Sequence, residues 1–136
     1  MIHRFSREEQ LIGPQGLQKL RAARVAVFGA GGVGGYTIEA LARCGVGSLT
    51  IVDGDSVSLT NINRQILALE DTLGRPKAEV ARERVLQINP ECQVEAKVLF
   101  FTPEDGFDFS RFDYVADAID TVSSKIELIL RCREAG

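Results

Sequence analysis

Residues 25–55 read VAVFGAGGVGGYTIEALARCGVGSLTIVDGD, and this stretch narrows the fold more than any other. An apolar run ends in Gly29-x-Gly31-x-x-Gly34, a helix-forming segment comes next, and a second apolar run ends at the acid Asp53. Glycines at 29 and 31 allow a tight turn and a close approach of the backbone to a phosphate, while Gly34 allows close helix packing. The N-terminus of the helix then offers amide donors and a partial positive charge to an anion. A glycine-rich turn can also serve only to start a helix; the acid after the next strand favours phosphate binding. Asp53 suits a ribose hydroxyl, the alternative being a strand-end acid that caps a turn with Gly54.

The rest of the chain extends this alternation. Residues 6–23 predict two short helical pieces, capped by Ser6, interrupted at Gly13-Pro14 and resumed through Leu17 and Leu20. Residues 25–28 predict a buried strand. Residues 32–44 predict a helix with Val33, Tyr36, Ala40, Leu41 and Cys44 on its core face and Gly45 as its stop. Residues 48–52 form the second strand, with Asp53 at its carboxyl end. Residues 54–74 are polar and irregular. Pro76 opens a helix to about residue 89 that buries Ala78, Ala81, Val85 and Ile88. Residues 93–101 and part of residues 112–120 predict two further strands, and residues 123–133 a last helix.

Strands this continuously apolar, alternating with helices, give an α/β fold class: a doubly wound, mostly parallel Rossmann-like sheet. Such sheets bind ligands outside the carboxyl ends of their strands. Residues 29–35, Asp53 with Gly54, and residues 118–121 all fall on that edge. Residues 6–23 precede the sheet and residues 24–136 build it. No strand comes after the last helix, so the 136 residues are expected to be the N-terminal part of a larger domain.

Composition agrees with one soluble domain. An apolar fraction of 45% and a charged fraction of 26% are ordinary for a globular protein. No apolar run reaches the ~20 residues of a membrane-spanning helix, and the polar start MIHRFSREEQ has no signal-peptide core, so a cytoplasmic location is expected. A net charge of −3 gives no global attraction to nucleic acid. Cys44, Cys92 and Cys132 are far apart and form no C-x-x-C pair, which argues against a disulfide framework or a zinc site.

The segment after Asp53 exceeds the needs of a dehydrogenase. In DGDSVSLTNINRQILA and LGRPKAEVA, the side chains of Asn61, Asn63, Arg64 and Gln65 cluster shortly after the acid, and Lys77 opens the next helix. Two cations and several amides aimed at one ligand edge suit a triphosphate. Solvated surface charges are the alternative reading of Arg64 and Lys77, and an NAD-binding dehydrogenase domain would leave both unexplained.

Five linked motifs carry a resemblance over nearly the whole chain: RFSRE, GAGGVGG, IVDGDSVSLTNINRQ, GRPKAEVA and DAIDT. Their order and spacing resemble the superfamily that adenylates carboxylates, which includes molybdopterin-synthase-activating, thiamine-thiocarboxylate and ubiquitin-activating type proteins. Within it, INPECQV, FTPED and YVADAIDTVSSK look most like the tRNA threonylcarbamoyladenosine dehydratase branch.

The resemblance implies ATP in place of NAD. Gly29, Gly31 and Gly32 would line the nucleotide, and Asp53 would accept from its ribose. Arg64 and Lys77 would grip the phosphates, supported by Asn61 or Gln65, and Asp120 would hold Mg²⁺. Arg7 would reach the site of the neighbouring subunit in a homodimer. The acid to be activated would belong to tRNA or, alternatively, to a ubiquitin-like or sulfur-carrier protein. None of the three cysteines stands in a nucleophile setting, and packing suits each.

Overall fold

The computed structural model describes residues 2–136. Four helices, α1 (Ser6–Ala22), α2 (Gly32–Arg43), α3 (Lys77–Ile88) and α4 (Val122–Ala135), alternate with four strands, β1 (Arg24–Phe28), β2 (Ser48–Val52), β3 (Gln93–Lys97) and β4 (Tyr114–Asp117). All strand pairs are parallel and the order across the sheet is β3-β2-β1-β4. The chain therefore winds one way through β1, β2 and β3, then returns to the other side of β1. That reversal between β1 and β4 opens a crevice at the carboxyl ends of the strands, as a doubly wound sheet requires.

The two central strands are apolar because both of their faces are covered. One face packs Val25, Val27, Leu49 and Ile51 against Ile38 and Ala42 of α2 and Ala78, Ala81 and Val85 of α3. The other packs Ala26, Phe28 and Val52 against Phe101, Phe109 and Leu128 of α4. Phe28, Phe101, Phe107 and Phe109 form a cluster with ring centroids 5.4–6.2 Å apart, mostly edge to face.

Three local expectations need correction. The cap of α1 is Phe5, not Ser6; the Ser6 hydroxyl instead accepts from the His3 amide at 2.7 Å. The two pieces expected there are present, with helical geometry breaking at Gly13, whose φ is 76° and ψ 168°. The core face of α2 is Gly34, Gly35, Ile38 and Ala42, while Val33 and Tyr36 are 73% and 56% exposed. A face chosen by hydrophobic side chains misses the two glycines that let α2 touch the sheet. Finally, β3 ends at Lys97, and residues 98–101 leave the sheet.

Candidate nucleotide site

Each end of the glycine turn is dictated by packing. Gly29 has φ 98°, and a Cβ there would lie 2.4 Å from the carbonyl oxygen of Ala118 on the β4 side. A Cβ on Gly34 would stand 1.6 Å from the carbonyl oxygen of Gly29. The middle of the turn is different. Nothing lies within 4 Å of a Cβ on Gly32, and only the Gln65 Nε2, at 3.5 Å, approaches one on Gly31. These two positions are open because they face a cavity of about 750 Å³.

The cavity lies at the carboxyl ends of the strands. Its walls include Gly29, Gly31, Gly32, Asp53, Arg64, Gln65, Lys77 and Asp120. Eight of the residues expected from the sequence to bind the ligand thus share one surface. The uncapped N-terminus of α2 points into the turn, since Gly31 offers no side chain to its amides.

Asp53 is tied to the turn itself. Its Oδ2 accepts from the Ala30 amide at 2.8 Å and its Oδ1 from the Asp55 amide at 2.7 Å. The carboxylate therefore does the cap-like work of the alternative reading while still lining the cavity, where its remaining lone pairs can accept from a hydroxyl.

Lys77 is 6% exposed and its ammonium makes no hydrogen bond or ion pair among the described residues. The backbone fixes it: the Lys77 amide donates to Asp55 O at 2.9 Å, Val57 donates to Arg75 O at 2.8 Å, and Gly74 to Val57 O at 2.8 Å. A short strap across residues 55–57 and 74–77 thereby delivers the first residue of α3 to the cavity. The Lys77 stem is covered while its ammonium opens on the cavity, where an anion gains a charge-assisted contact.

Arg64 sits at the exposed rim, where its Nη1 donates to Thr60 O at 2.8 Å and to Asn63 Oδ1 at 3.0 Å. Asn61 corrects the expectation that it lines the site. Its Oδ1 accepts from the Ser58 amide at 2.9 Å and caps the 3₁₀ turn Leu59–Asn61, in which Asn61 is buried outside the cavity lining and holds up the Arg64 loop. Asp120 is exposed and unpartnered, on a turn set by Asp117, whose Oδ1 accepts from Ile119 N at 3.1 Å and pairs with Lys125 at 3.0 Å.

Arg7 lies exposed near the start of α1, outside this cavity. Phe5 and Leu17 of the same segment pack on Gly45, just past the C-terminal end of α2, so α1 lies at the opposite edge of the sheet. Leu99, Phe100, Phe101, Thr102, Pro103 and Glu104 form a wall of the cavity, although the sequence pattern assigns residues 93–101 to a strand. The signal for the wall is the density of phenylalanines interrupted by a Thr-Pro turn. Cys92 is buried, donates to Val46 O at 3.3 Å, and burial pushes its thiol up to about 11.

The cavity's charges do not balance for a polyphosphate. Asp53, Asp55, Glu104 and Asp120 set four carboxylates against the two cations Arg64 and Lys77. Among the described residues there is no cluster of three metal-ligating side chains, and no helix is long and apolar enough to cross a membrane.

Known proteins are similar to this chain. The chain is 49% identical over 135 residues to the tRNA threonylcarbamoyladenosine dehydratase of Bacillus subtilis, covering 97% of this chain and 53% of that protein. It is 36% identical to the sulfur carrier protein adenylyltransferase of Thermus thermophilus, covering 91% and 47%. Among solved structures, the Escherichia coli tRNA N6-threonylcarbamoyladenosine dehydratase TcdA in complex with ATP superposes with a TM-score of 0.90 at 46% identity, covering 96% of this chain and 55% of that one. The chain spans about half the length of these relatives. Residues 5–136 match the ThiF family model, and the chain belongs to the ThiF family.

Proposed function

We propose that the cavity binds ATP and that the protein activates a carboxylate by adenylation, the substrate being the threonylcarbamoyl group of tRNA. One observation carries the nucleotide reading: a buried, unpartnered Lys77 shares a cavity with an open glycine turn at a helix N-terminus. The relative bound to ATP, similar over 96% of the chain, supports it. An NAD site would leave the convergence of Arg64 with Lys77 on one cavity unexplained.

In this reading the α2 amides, Arg64 and Lys77 hold the phosphates, with Gln65 beside Gly31, and Asp53 orients the ribose. The substrate carboxylate attacks the α-phosphorus, the bond to the β-phosphate oxygen breaks, and pyrophosphate leaves. Lys77 and Arg64 lower the barrier by neutralising charge that builds on the departing group. The resulting acyl-adenylate is attacked within the same substrate, which closes a ring and releases AMP. Asp120, exposed and unpartnered at the cavity, suits Mg²⁺, a cation held by one or two carboxylates together with phosphates and water. When bound it would supply charge neutralisation at the phosphates.

The surplus of carboxylates calls for cations from outside this chain's own cavity. Mg²⁺ is one source. Arg7 of a second copy is the other, and we assign it to the partner's site in a homodimer. Residues 1–136 act as the nucleotide-binding part of a cytoplasmic enzyme.

A second reading, adenylation of a sulfur-carrier protein, rests on the 36–38% identity to proteins of that activity. ATP–pyrophosphate exchange by the full-length protein separates the two. Exchange stimulated by threonylcarbamoyladenosine-containing tRNA supports the first; stimulation only by a sulfur-carrier protein selects the second. Absence of exchange with either acid overturns adenylation.

A further inference from the structure

The wall of residues 99–104 has almost no backbone pairing of its own. Asp105 N donates to Thr102 O at 3.0 Å and Thr102 N donates to the Asp105 carboxylate at 2.6 Å, which closes a turn but anchors it to nothing. The anchors come from α4. Ser124 Oγ donates to Phe101 O at 2.9 Å in a buried contact. One residue two turns further along α4, Arg131, holds the rest: its guanidinium donates to the carbonyl oxygens of both Pro103 and Asp105. Its Nε donates to Glu127 at 2.9 Å, and its guanidinium carbon lies over the Phe101 ring, 5.5 Å from the centroid.

The front of the wall is equally constrained. Phe100 is 63% exposed on the cavity side, and a Cβ on Gly54 would stand 2.5 Å from its ring. Phe101, one residue on, is buried against Phe28, whose own ring also lines the cavity. The wall is thus pressed against Gly54 in front and pinned by Arg131 behind.

Arg131 does not touch the cavity. We infer that it is a positioning residue: by clamping Pro103 and Asp105 it holds the Phe100–Glu104 wall in its nucleotide-binding shape. The clamp rests on the proposed binding of ATP in this cavity. Only a planar fork with donors in several directions reaches two carbonyls and a carboxylate while it sits over an aromatic ring. A lysine has three donors on a single nitrogen and cannot span the same set of acceptors. With the clamp gone, the wall samples other positions, and ATP must then order it at a cost in affinity.

Arg131→Met keeps the stem on Phe101 and removes all the donors. In the full-length protein it should bind ATP roughly tenfold more weakly by calorimetry, as expected for the loss of a few partly exposed hydrogen bonds. Amide hydrogen exchange should quicken at residues 102–105, and Arg131→Lys should recover part of both. A residue that served only stability would lower the melting temperature and leave the affinity of the folded protein unchanged. Wild-type affinity in Arg131→Met, or unaltered exchange at residues 102–105, overturns the clamp. If Arg131→Met fails to fold, Arg131→Lys carries the same comparison. No ATP binding by the wild type overturns the nucleotide site itself, and the clamp falls with it.

Discussion

The backbone amide of Ala30 donates to the carboxylate of Asp53 at 2.8 Å, so the turn after β1 and the acid after β2 move as one unit. Asparagine at 53 can offer an oxygen to only one of the two amides now served, Ala30 or Asp55. Asp53→Asn should therefore lose about 1–3 kcal/mol of stability, the cost of a donor left without its acceptor. Denaturant unfolding measures this, and ATP titration of the same protein should show weaker binding. An unchanged midpoint with weakened binding would restrict Asp53 to the ligand.

The glycines of the turn should separate by substitution. Gly34→Ala drives a Cβ into Gly29 O at 1.6 Å and should fail to fold or melt far below the wild type. Gly32→Ala meets open space in the first turn of α2 and should match the wild type or gain up to about 1 kcal/mol from helix propensity. Its ATP affinity should nevertheless fall, because the methyl occupies the cavity. Calorimetry showing wild-type affinity would move the phosphates away from this turn.

Lys77→Met should uncouple stability from binding. The Lys77 ammonium opens on the cavity and Met preserves the covered stem, so the melting temperature should stay nearly level. Loss of a charge-assisted contact should weaken ATP binding by roughly 1.5–3 kcal/mol. A large drop in melting temperature with intact affinity would assign Lys77 to the fold.

Acid should weaken the contact between α2 and α3. Glu39 of α2 receives Arg84 of α3 at 2.5 Å and Arg43 at 2.9 Å. The Arg84 hydrogen bond, partly opposed by burial and aided by Arg43, holds its carboxyl below the ordinary 4.5. A lowered folded value means that the stabilisation is complete above pH 4.5 and drains away as pH falls through the lower value. Urea midpoints measured from neutral pH into acid should show that loss, and Arg84→Leu should blunt it. Equal acid sensitivity in both proteins would remove Glu39 from the account.

Mixing Arg7→Ala with Lys77→Ala tests the shared site. If Arg7 serves the partner, a heterodimer has one site with both lesions and one with neither, recovering up to about half of the activity. Pyrophosphate exchange after verified subunit exchange is the readout. No recovery, or full activity of Arg7→Ala alone, would keep Arg7 out of the neighbouring site.

The sheet is legible in the sequence because its two central strands are apolar on both faces and its turns carry glycine or proline. Lys77 and Asp53 are legible too, since each comes directly at a strand or helix end. The face of α2 misleads because glycines that enable contact carry no hydrophobic signal, whereas Val33 and Tyr36 do and are exposed. Asn61 looks like a ligand group, yet its side chain is used by the Ser58 amide, and only the fold decides which amide it meets. The 99–104 wall and its Arg131 anchor are hidden for the same reason. Residues 26 and 28 apart in the chain meet there through tertiary packing alone.

The strand order carries a consequence for biosynthesis. The crevice exists only once β4 has slotted beside β1, which joins Val25 to Tyr114 and Phe28 to Asp117. Half a glycine turn and Asp53 can form early on the ribosome, but residues 118–124, which close the other side of the cavity, emerge last of its walls. A nascent chain is thus blind to the nucleotide until nearly all of these residues are made. Parallel pairings across so many residues are slow to form. A ligand of this cavity cannot template the early steps of folding, and its stabilisation arrives only once β4 is in place.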